Sequence, residues 1–340
     1  MSLRASSRLL LGCHVYTSEG RDARVIASLR DACAAQRGVV LASSFVDAPY
    51  HRSSYTLVSG SAEALAAAVV NVSRAALAAI DLSAHDASHP RLGAVDHISC
   101  HPVPEDLGWG REDIGKSSGG GSSQNSNSGN SSCSDGAAAE RTASAAAAGP
   151  SGREEDAAAL RAAASLARDI GGRLSSGRGA LPVYLYGAAH PRGRRLADIR
   201  RSLGYFGATD AARHAWRGAL AGSGDLSPFP PDLGPCAADA RSGVLTLGAA
   251  PWIVNFNVPM ETGDMAAARR VARAVSERGG GLSGVEAMAL AHSPGVIEAV
   301  LQAIAAAAAR EGLAPPRPGG AYVIGKLPGE VAAAARGAGL

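Results

Sequence analysis

The chain has 340 residues, 46% of them apolar and only 4% aromatic, with a net charge of +3. That length accommodates two domains with cores of their own, and so small a charge does not imply a nucleic-acid binder. Five scattered cysteines (Cys13, Cys33, Cys100, Cys133, Cys236) without a CxxC pair indicate neither a zinc knuckle nor a disulfide framework and point to a reducing compartment.

The first half alternates regularly. Leu9–Tyr16 reads as an apolar strand, leaving almost no room ahead of it for a targeting peptide. Asp22–Gln36 carries Val25, Ile26, Leu29 and Ala32 at helical spacing, and Gly38 is placed to end the helix. Val39–Val46 is a β-branched run, the turn Asp47–Arg52 follows, and Ser54–Val58 is the next strand. Ala62–Ile80 is a long alanine-rich helix, and Gly93–Val103 is extended again. The order β-α-β-β-α-β is that of the split βαβ unit of ferredoxin-like folds.

From about residue 115 to 152 the chain is a Ser/Gly/Asn- and Ala-rich tract, a composition too poor in apolar surface to offset ordering entropy, and it is expected to be a disordered insertion. Beyond it, Glu154–Arg173 is a helix and Pro182–Tyr186 a strand. A basic amphipathic segment at Ile199–Phe206 and a Pro-rich loop at Ser227–Pro235 come next. Strands at Gly243–Gly248 and Trp252–Val258, a helix at Met265–Arg278, a strand at Val285–Ala291, a helix at Pro294–Glu311 and a strand at Tyr322–Ile324 complete the pattern. The expected fold is α+β: two ferredoxin-like subdomains, residues 1–187 and 188–340, each an open sheet with helices on one face. A ligand cleft is expected between them. No apolar run approaches the roughly 20 residues of a membrane span, and a cytoplasmic protein acting without membrane or nucleic acid is expected.

Asp81–Pro102 holds four of the nine histidines, His85, His89, His97 and His101. Their i,i+4 pairing would suit zinc on a helix. However, Pro90 biases His89 away from helical geometry, and His97, Ser99 and His101 share one face of a strand while Ile98 and Cys100 take the other. A metal site is therefore disfavoured. His89, in a loop beside the rigid Pro90, is the best candidate for proton transfer near neutral pH. Asp47 is placed to orient a histidine and Arg52 to bind a carboxylate. Gly279, Gly281 and Gly284 match GxGxxG, but they follow a helix and precede a strand, so a helix end and turn explain them.

In chain order, several segments resemble the glutamate formiminotransferase family, whose module is also found fused to cyclodeaminase. Ser18-Glu19-Gly20 is similar to its SEG, Arg52-Ser53-Ser54-Tyr55-Thr56 to its R-x-x-Y-T, and His89-Pro90-Arg91-Leu92-Gly93-Ala94-Val95-Asp96 to its H-P-R-x-G-A-x-D. Val183–Gly187 resembles its V-Y-L-Y-G, Pro231–Pro235 its P-D-x-G-P, and Asn255-Phe256-Asn257 its F-N strand. The chain departs from the family at Tyr16, where Asn is usual, at a shortened turn with His51 in place of Asn, and in a shortened stretch from Gly281 to Met288.

The resemblance implies a one-carbon transferase moving a formimino group from N-formiminoglutamate, or a related donor, to tetrahydrofolate as co-substrate, without metal and often as a homodimer. It implies His89 and Asp47 as catalytic residues. Arg52, Ser18, Glu19, Tyr55, Arg91, Gly187, Asp232 and Asn257 are the expected substrate- and folate-binding residues. The alternative is a catalytically altered folate-binding protein of the same fold.

Overall fold

Alternation of apolar and polar side chains in the strands, and alanine-rich helices that approach closely, organise the chain into two sheets with helical layers. The computed structural model describes residues 9–104, 150–205, 224–260, 262–304, 322–324 and 326–340. The expected insertion falls outside the described residues as far as 149, and Pro150 already belongs to the following helix.

The order is β1 (Leu11–Thr17), α1 (Ala23–Ala34), β2 (Val40–Asp47), β3 (Arg52–Ser59), α2 (Ala62–Ala79), β4 (Val95–Pro102), α3 (Pro150–Leu174), β5 (Val183–Gly187), α4 (Leu196–Ser202) and β6 (Leu245–Ala249). It continues with β7 (Ile253–Met260), α5 (Met265–Val275), β8 (Val285–Ser293), β9 (Val296–Ile304), β10 (Tyr322–Ile324) and α6 (Pro328–Gly337). The first sheet has the strand order β2-β3-β1-β4-β6-β5. Its first four strands pair antiparallel, whereas β4/β6 and β6/β5 are parallel. The second sheet, β10-β7-β9-β8, is antiparallel throughout. The chain leaves the first sheet after Ala249, so a boundary at 187/188 does not coincide with the division between the sheets: β6 returns to pair with β4 long after β5.

The helices α1, α2 and α3 cover one face of the first sheet. Leu11, Cys13 and Val15 of β1, Tyr55 and Leu57 of β3, and Ile98 and Cys100 of β4 pack there against Leu29, Leu65, Val69 and Ile170. Ala66, Ala68 and Ala76 of α2 are fully buried, which is how an alanine-rich helix lets its neighbours approach. This helix is long and apolar enough by composition to cross a membrane, yet its apolar side chains build the core. Serine and aspartate caps start the helices: Asp22 accepts from Arg24 N and Val25 N, Ser61 from Ala64 N, and Asp264 from Ala267 N.

The opposite face of the first sheet meets the second sheet. Val58, Val103, Trp252, Val254 and Val285 form an apolar junction, capped by Val331, Ala332 and Ala335 of α6. On this face His14, Tyr16, His97 and His101 occupy the alternate strand positions, in keeping with the parity expected of His97 and His101.

The segment expected as a helix from Pro294 to Glu311 is instead β9 as far as Ile304, hydrogen-bonded between β7 and β8. Its alanines suggest a helix, but Val296, Ile297, Val300 and Ile304 favour the pleated conformation. Ser293-Pro294-Gly295, with Gly295 at φ +76°, turns β8 back into it. Residues 305–311 of that expected helix lie outside the described residues.

Candidate active site

Three β-bulges direct polar groups to the junction. Opposite β3, Leu41 pairs with Leu57 and Ser43 with Thr56, so Ala42 is an extra residue. The extra residue shifts the alternation of β2, and Phe45 and Asp47 face the junction instead of the helical layer. Asp96 is likewise extra where Tyr16 pairs with His97 and Thr17 with Val95. His292 is extra between the pairs Ala291–Ile297 and Ser293–Val296.

These groups border a cleft between the sheets with about 580 Å³ of empty space, its open mouth included. The first sheet and its loops contribute Tyr16, Phe45, Asp47, Tyr50, Arg52, Ser53, Ser54, His89 and His97. From α4 and the residues after it come Arg200 and Tyr205, and the second sheet adds Asn255, Asn257 and Met288.

His89 is 7% exposed. Its Nδ1 lies 2.6 Å from the Pro90 carbonyl, which can only accept, and 3.4 Å from Arg52 Nη1, which can only donate; the much shorter contact assigns the proton to Nδ1 and leaves Nε2 its lone pair. Burial, and then the positive charges of Arg52 and Arg91, hold the His89 pKa well below the ordinary histidine value. The His89 imidazole is therefore uncharged at neutral pH. The carboxylate coupled to it is Asp96, which pairs with Arg52 at 2.7 Å and accepts from Leu92 N at 2.5 Å. Arg52 also lies over the Tyr16 ring at 5.1 Å.

Asp47 was expected to orient His89. It accepts instead from Tyr50 N at 2.8 Å, closing the turn, and lies 3.4 Å from His292 Nε2. The other nitrogen of His292 is 3.9 Å from Glu298, which accepts from Asn257 Nδ2 at 2.9 Å. The ring of Tyr50 stands edge-on between the two histidines, 5.1 Å from His89 and 4.8 Å from His292. Among the described residues, Asp47, His292 and Glu298 are the His/Asp/Glu group close enough to share a cation, and the histidines of the Asp81–Pro102 cluster are not part of it.

Of the residues expected at the site, His89, Asp47, Arg52 and Asn257 line the cleft, and the other six do not. Ser18 donates to the Gly93 carbonyl at 2.8 Å. The Glu19 carboxylate accepts from the backbone N–H groups of Gly20, Arg21 and Asp22. A Cβ on Gly20 would meet the Asp47 carbonyl at 2.4 Å, so this glycine lets the loop lie against the Asp47–Arg52 turn. Arg91, 2% exposed, donates to the carbonyls of His89 at 2.5 Å and Tyr50 at 3.3 Å, holding the histidine loop to that turn. Tyr55 is buried in the helix-side core. Asp232 accepts from Leu185 N at 2.7 Å and pairs with Arg194, and Gly187 N donates to Arg194 O at 2.8 Å, so both brace β5.

Sequence reasoning did not single out Arg200, Tyr205, His292 or Glu298, and Asn255 entered only as part of the Asn255-Phe256-Asn257 motif. Tyr16, noted only as a departure, is part of the wall and accepts from Asn255 Nδ2 at 2.7 Å across the junction. His97, treated as a neighbour, is also part of it: its Nδ1 is 3.1 Å from Thr246 Oγ1 and its ring stacks on Tyr186.

An α+β fold with a cleft of buried histidine, arginine and carboxylate groups between two sheets is the frame of a small-molecule enzyme. The sequence profile described as the formiminotransferase domain, N-terminal subdomain, matches residues 10–113 and 155–250, and the chain belongs to that family. It is 37% identical to a formiminotransferase cyclodeaminase-like protein of Arabidopsis thaliana, over 86% of this chain and 81% of that protein. It is 26% identical to a glutamate formimidoyltransferase of Thermoplasma acidophilum, over 82% of this chain and 71% of the relative. The match to the formimidoyltransferase-cyclodeaminase of Sus scrofa, also 26% identical, covers 80% of this chain and 38% of that protein.

Proposed function

We propose that the protein is a one-carbon transferase that moves a formimino group from N-formiminoglutamate or a related donor to tetrahydrofolate, with His89 as the acid–base group. Membership of the formiminotransferase family and the names of the relatives support the reaction. The observation that carries His89 is its neutral imidazole in the cleft wall, with Nδ1 closed by the Pro90 carbonyl. In the reaction, a folate nitrogen attacks the formimino carbon and loses its proton to His89 Nε2. As the bond from carbon to the glutamate nitrogen breaks, the imidazolium returns that proton to the leaving nitrogen. Burial keeps the base unprotonated beforehand, and Asp96 steadies the imidazolium through the arginine-rich wall. Asp47, held by His292, is assigned to the opposite side of Tyr50, where it accepts a hydrogen bond from a bound substrate. No metal takes part in these steps.

The proposal includes two ferredoxin-like subdomains meeting near residue 250. The shared order of the strands supports this, since β4-β1-β3-β2 in the first sheet and β10-β7-β9-β8 in the second are the same arrangement of successive strands. It also includes a cytoplasmic homodimer acting on small molecules without nucleic acid or membrane, and sedimentation analysis reads its oligomeric state.

The test is formimino transfer to tetrahydrofolate by the wild type and by His89→Ala. Turnover is expected in the wild type, with a loss of about 100- to 10,000-fold in the variant and folate binding retained. Equal activity of the two proteins overturns the role of His89. Folate binding by the wild type without turnover selects the second reading, a catalytically altered folate-binding protein. Tyr16, bonded to Asn255 and occupying wall space where the family has a smaller residue, favours that reading.

A further inference from the structure

Arg200 is 7% exposed in the cleft wall, with its guanidinium carbon 4.5 Å from the Tyr205 ring centre. Its Nε is buried and has no acceptor among the described residues, and Asp96, whose pKa its charge helps to lower, makes its ion pair with Arg52 instead. The other arginines beside the site have carboxylate or carbonyl partners for their terminal groups: Arg52 pairs with Asp96, and Arg91 donates through Nη2 to two backbone carbonyls, although its Nε, like that of Arg200, has no acceptor among the described residues. Asp96 is already occupied by Arg52 and by Leu92 N. Asp96 attracts Arg200 electrostatically, but a buried guanidinium without a carboxylate in direct contact is still costly in a folded chain. Its planar fork matches a carboxylate better than any other common anion except phosphate.

We propose that Arg200 is the carboxylate-binding residue of the cleft, the role expected of Arg52 from sequence alone. Arg52 serves less well, because a second carboxylate would have to displace its 2.7 Å pair with Asp96. The inference rests on the transferase reading, which supplies carboxylates from two sources: the glutamate portion of the formimino donor and the glutamate tail of the folate.

The experiment uses the full chain and the variants Arg200→Gln and Arg200→Lys. Tetrahydrofolate and tetrahydropteroate, which lacks the glutamate tail, are titrated calorimetrically. Transfer is measured with N-formiminoglutamate and with N-propylformamidine, a donor without a carboxylate. If Arg200 holds the donor, Arg200→Gln raises KM for N-formiminoglutamate about 10- to 100-fold, in line with loss of a hydrogen bond to a charged group. Use of N-propylformamidine and affinity for tetrahydrofolate are then unchanged. If it holds the folate tail, tetrahydrofolate binding weakens by the same factor and tetrahydropteroate binding does not. Arg200→Lys, which keeps the charge and loses the fork, falls between wild type and Arg200→Gln in either case. Unchanged binding and KM in every arm overturn the proposal. So does an equal loss for ligands with and without carboxylate, accompanied by a lowered melting temperature, since that marks a structural arginine. Failure of the transferase reading is distinct: the wild type then makes no product, while the calorimetric arm still reports on Arg200.

Discussion

At the scale of single residues, the wall around His89 controls its protonation. Burial has the largest effect on its pKa, Arg52 comes next and Arg91 third, and all three lower it. The base form is therefore present throughout the neutral range, and kcat/KM is expected to stay level as pH falls through 6.5, declining only in more acidic solution. Arg52→Gln removes one positive neighbour and leaves Asp96 with Leu92 N and the charge of Arg200. The acid limb of the kcat/KM profile is then expected to move up toward 6.5, and a profile that does not move rules out this coupling. The motif residues were legible in the sequence as constrained positions, but the cause of the constraint was not. Ser18, Glu19, Gly20 and Arg91 hold backbone to backbone beneath the cleft, and a motif marks a residue that fits a loop as readily as one that touches a ligand. Gly20→Ala tests this: its Cβ would press on Asp47 O and Arg52 N, at 2.4 and 2.5 Å. A loss of about 1–3 kcal/mol in stability, typical of overpacking, is expected with at least tenfold lower turnover, measured by urea unfolding and by the transfer assay.

At the scale of elements, periodicity located the strands and helices of the first half because each has a single buried face. It failed where pairing partners decide. The tract after Pro294 is alanine-rich enough for a helix, yet β7 and β8 flank it and satisfy its backbone as a strand. The bulges at Ala42, Asp96 and His292 leave no periodic signal, since a one-residue slip appears in sequence as ordinary alternation. Without the extra residue in β2, Asp47 would face the helical layer, and the Asp47–His292 contact across the junction would be lost. Deletion of Ala42 is thus expected to leave helical content nearly intact by circular dichroism while abolishing turnover and folate binding. Turnover that survives the deletion contradicts the role given to this bulge.

At the scale of the whole molecule, two sheets meet through a layer of neutral histidines, and this ties stability to pH. His14 and His97 have pKa values held well below the usual one by burial first, with nearby positive or histidine charges adding to it. Burial also lowers His101, to about 4, although the Ala250 and Pro251 carbonyls it bonds favour its charged form. In the unfolded chain these groups titrate near 6.5. Below that pH the unfolded state binds more protons than the folded state, so stability declines as pH falls, and for His101 the decline is complete near pH 4. Each such histidine contributes up to about 1.4 kcal/mol per pH unit within its window. The histidine density was plain in the sequence. That three of them would lie unprotonated between two sheets was not, because it depends on β1 and β4 pairing with each other and on Trp252 closing over His14 and His101. Urea unfolding at pH 7.5, 6 and 5 is expected to give falling stability across a range where most carboxylates stay ionised. In His101→Gln, which keeps a donor for the Ala250 and Pro251 carbonyls without a titrating ring, the slope between pH 6 and 5 is expected to be shallower by about 1 kcal/mol per unit. A wild-type stability that is flat from pH 7.5 to 5 means the junction histidines are solvated or already charged, and the buried neutral layer is then not what joins the sheets.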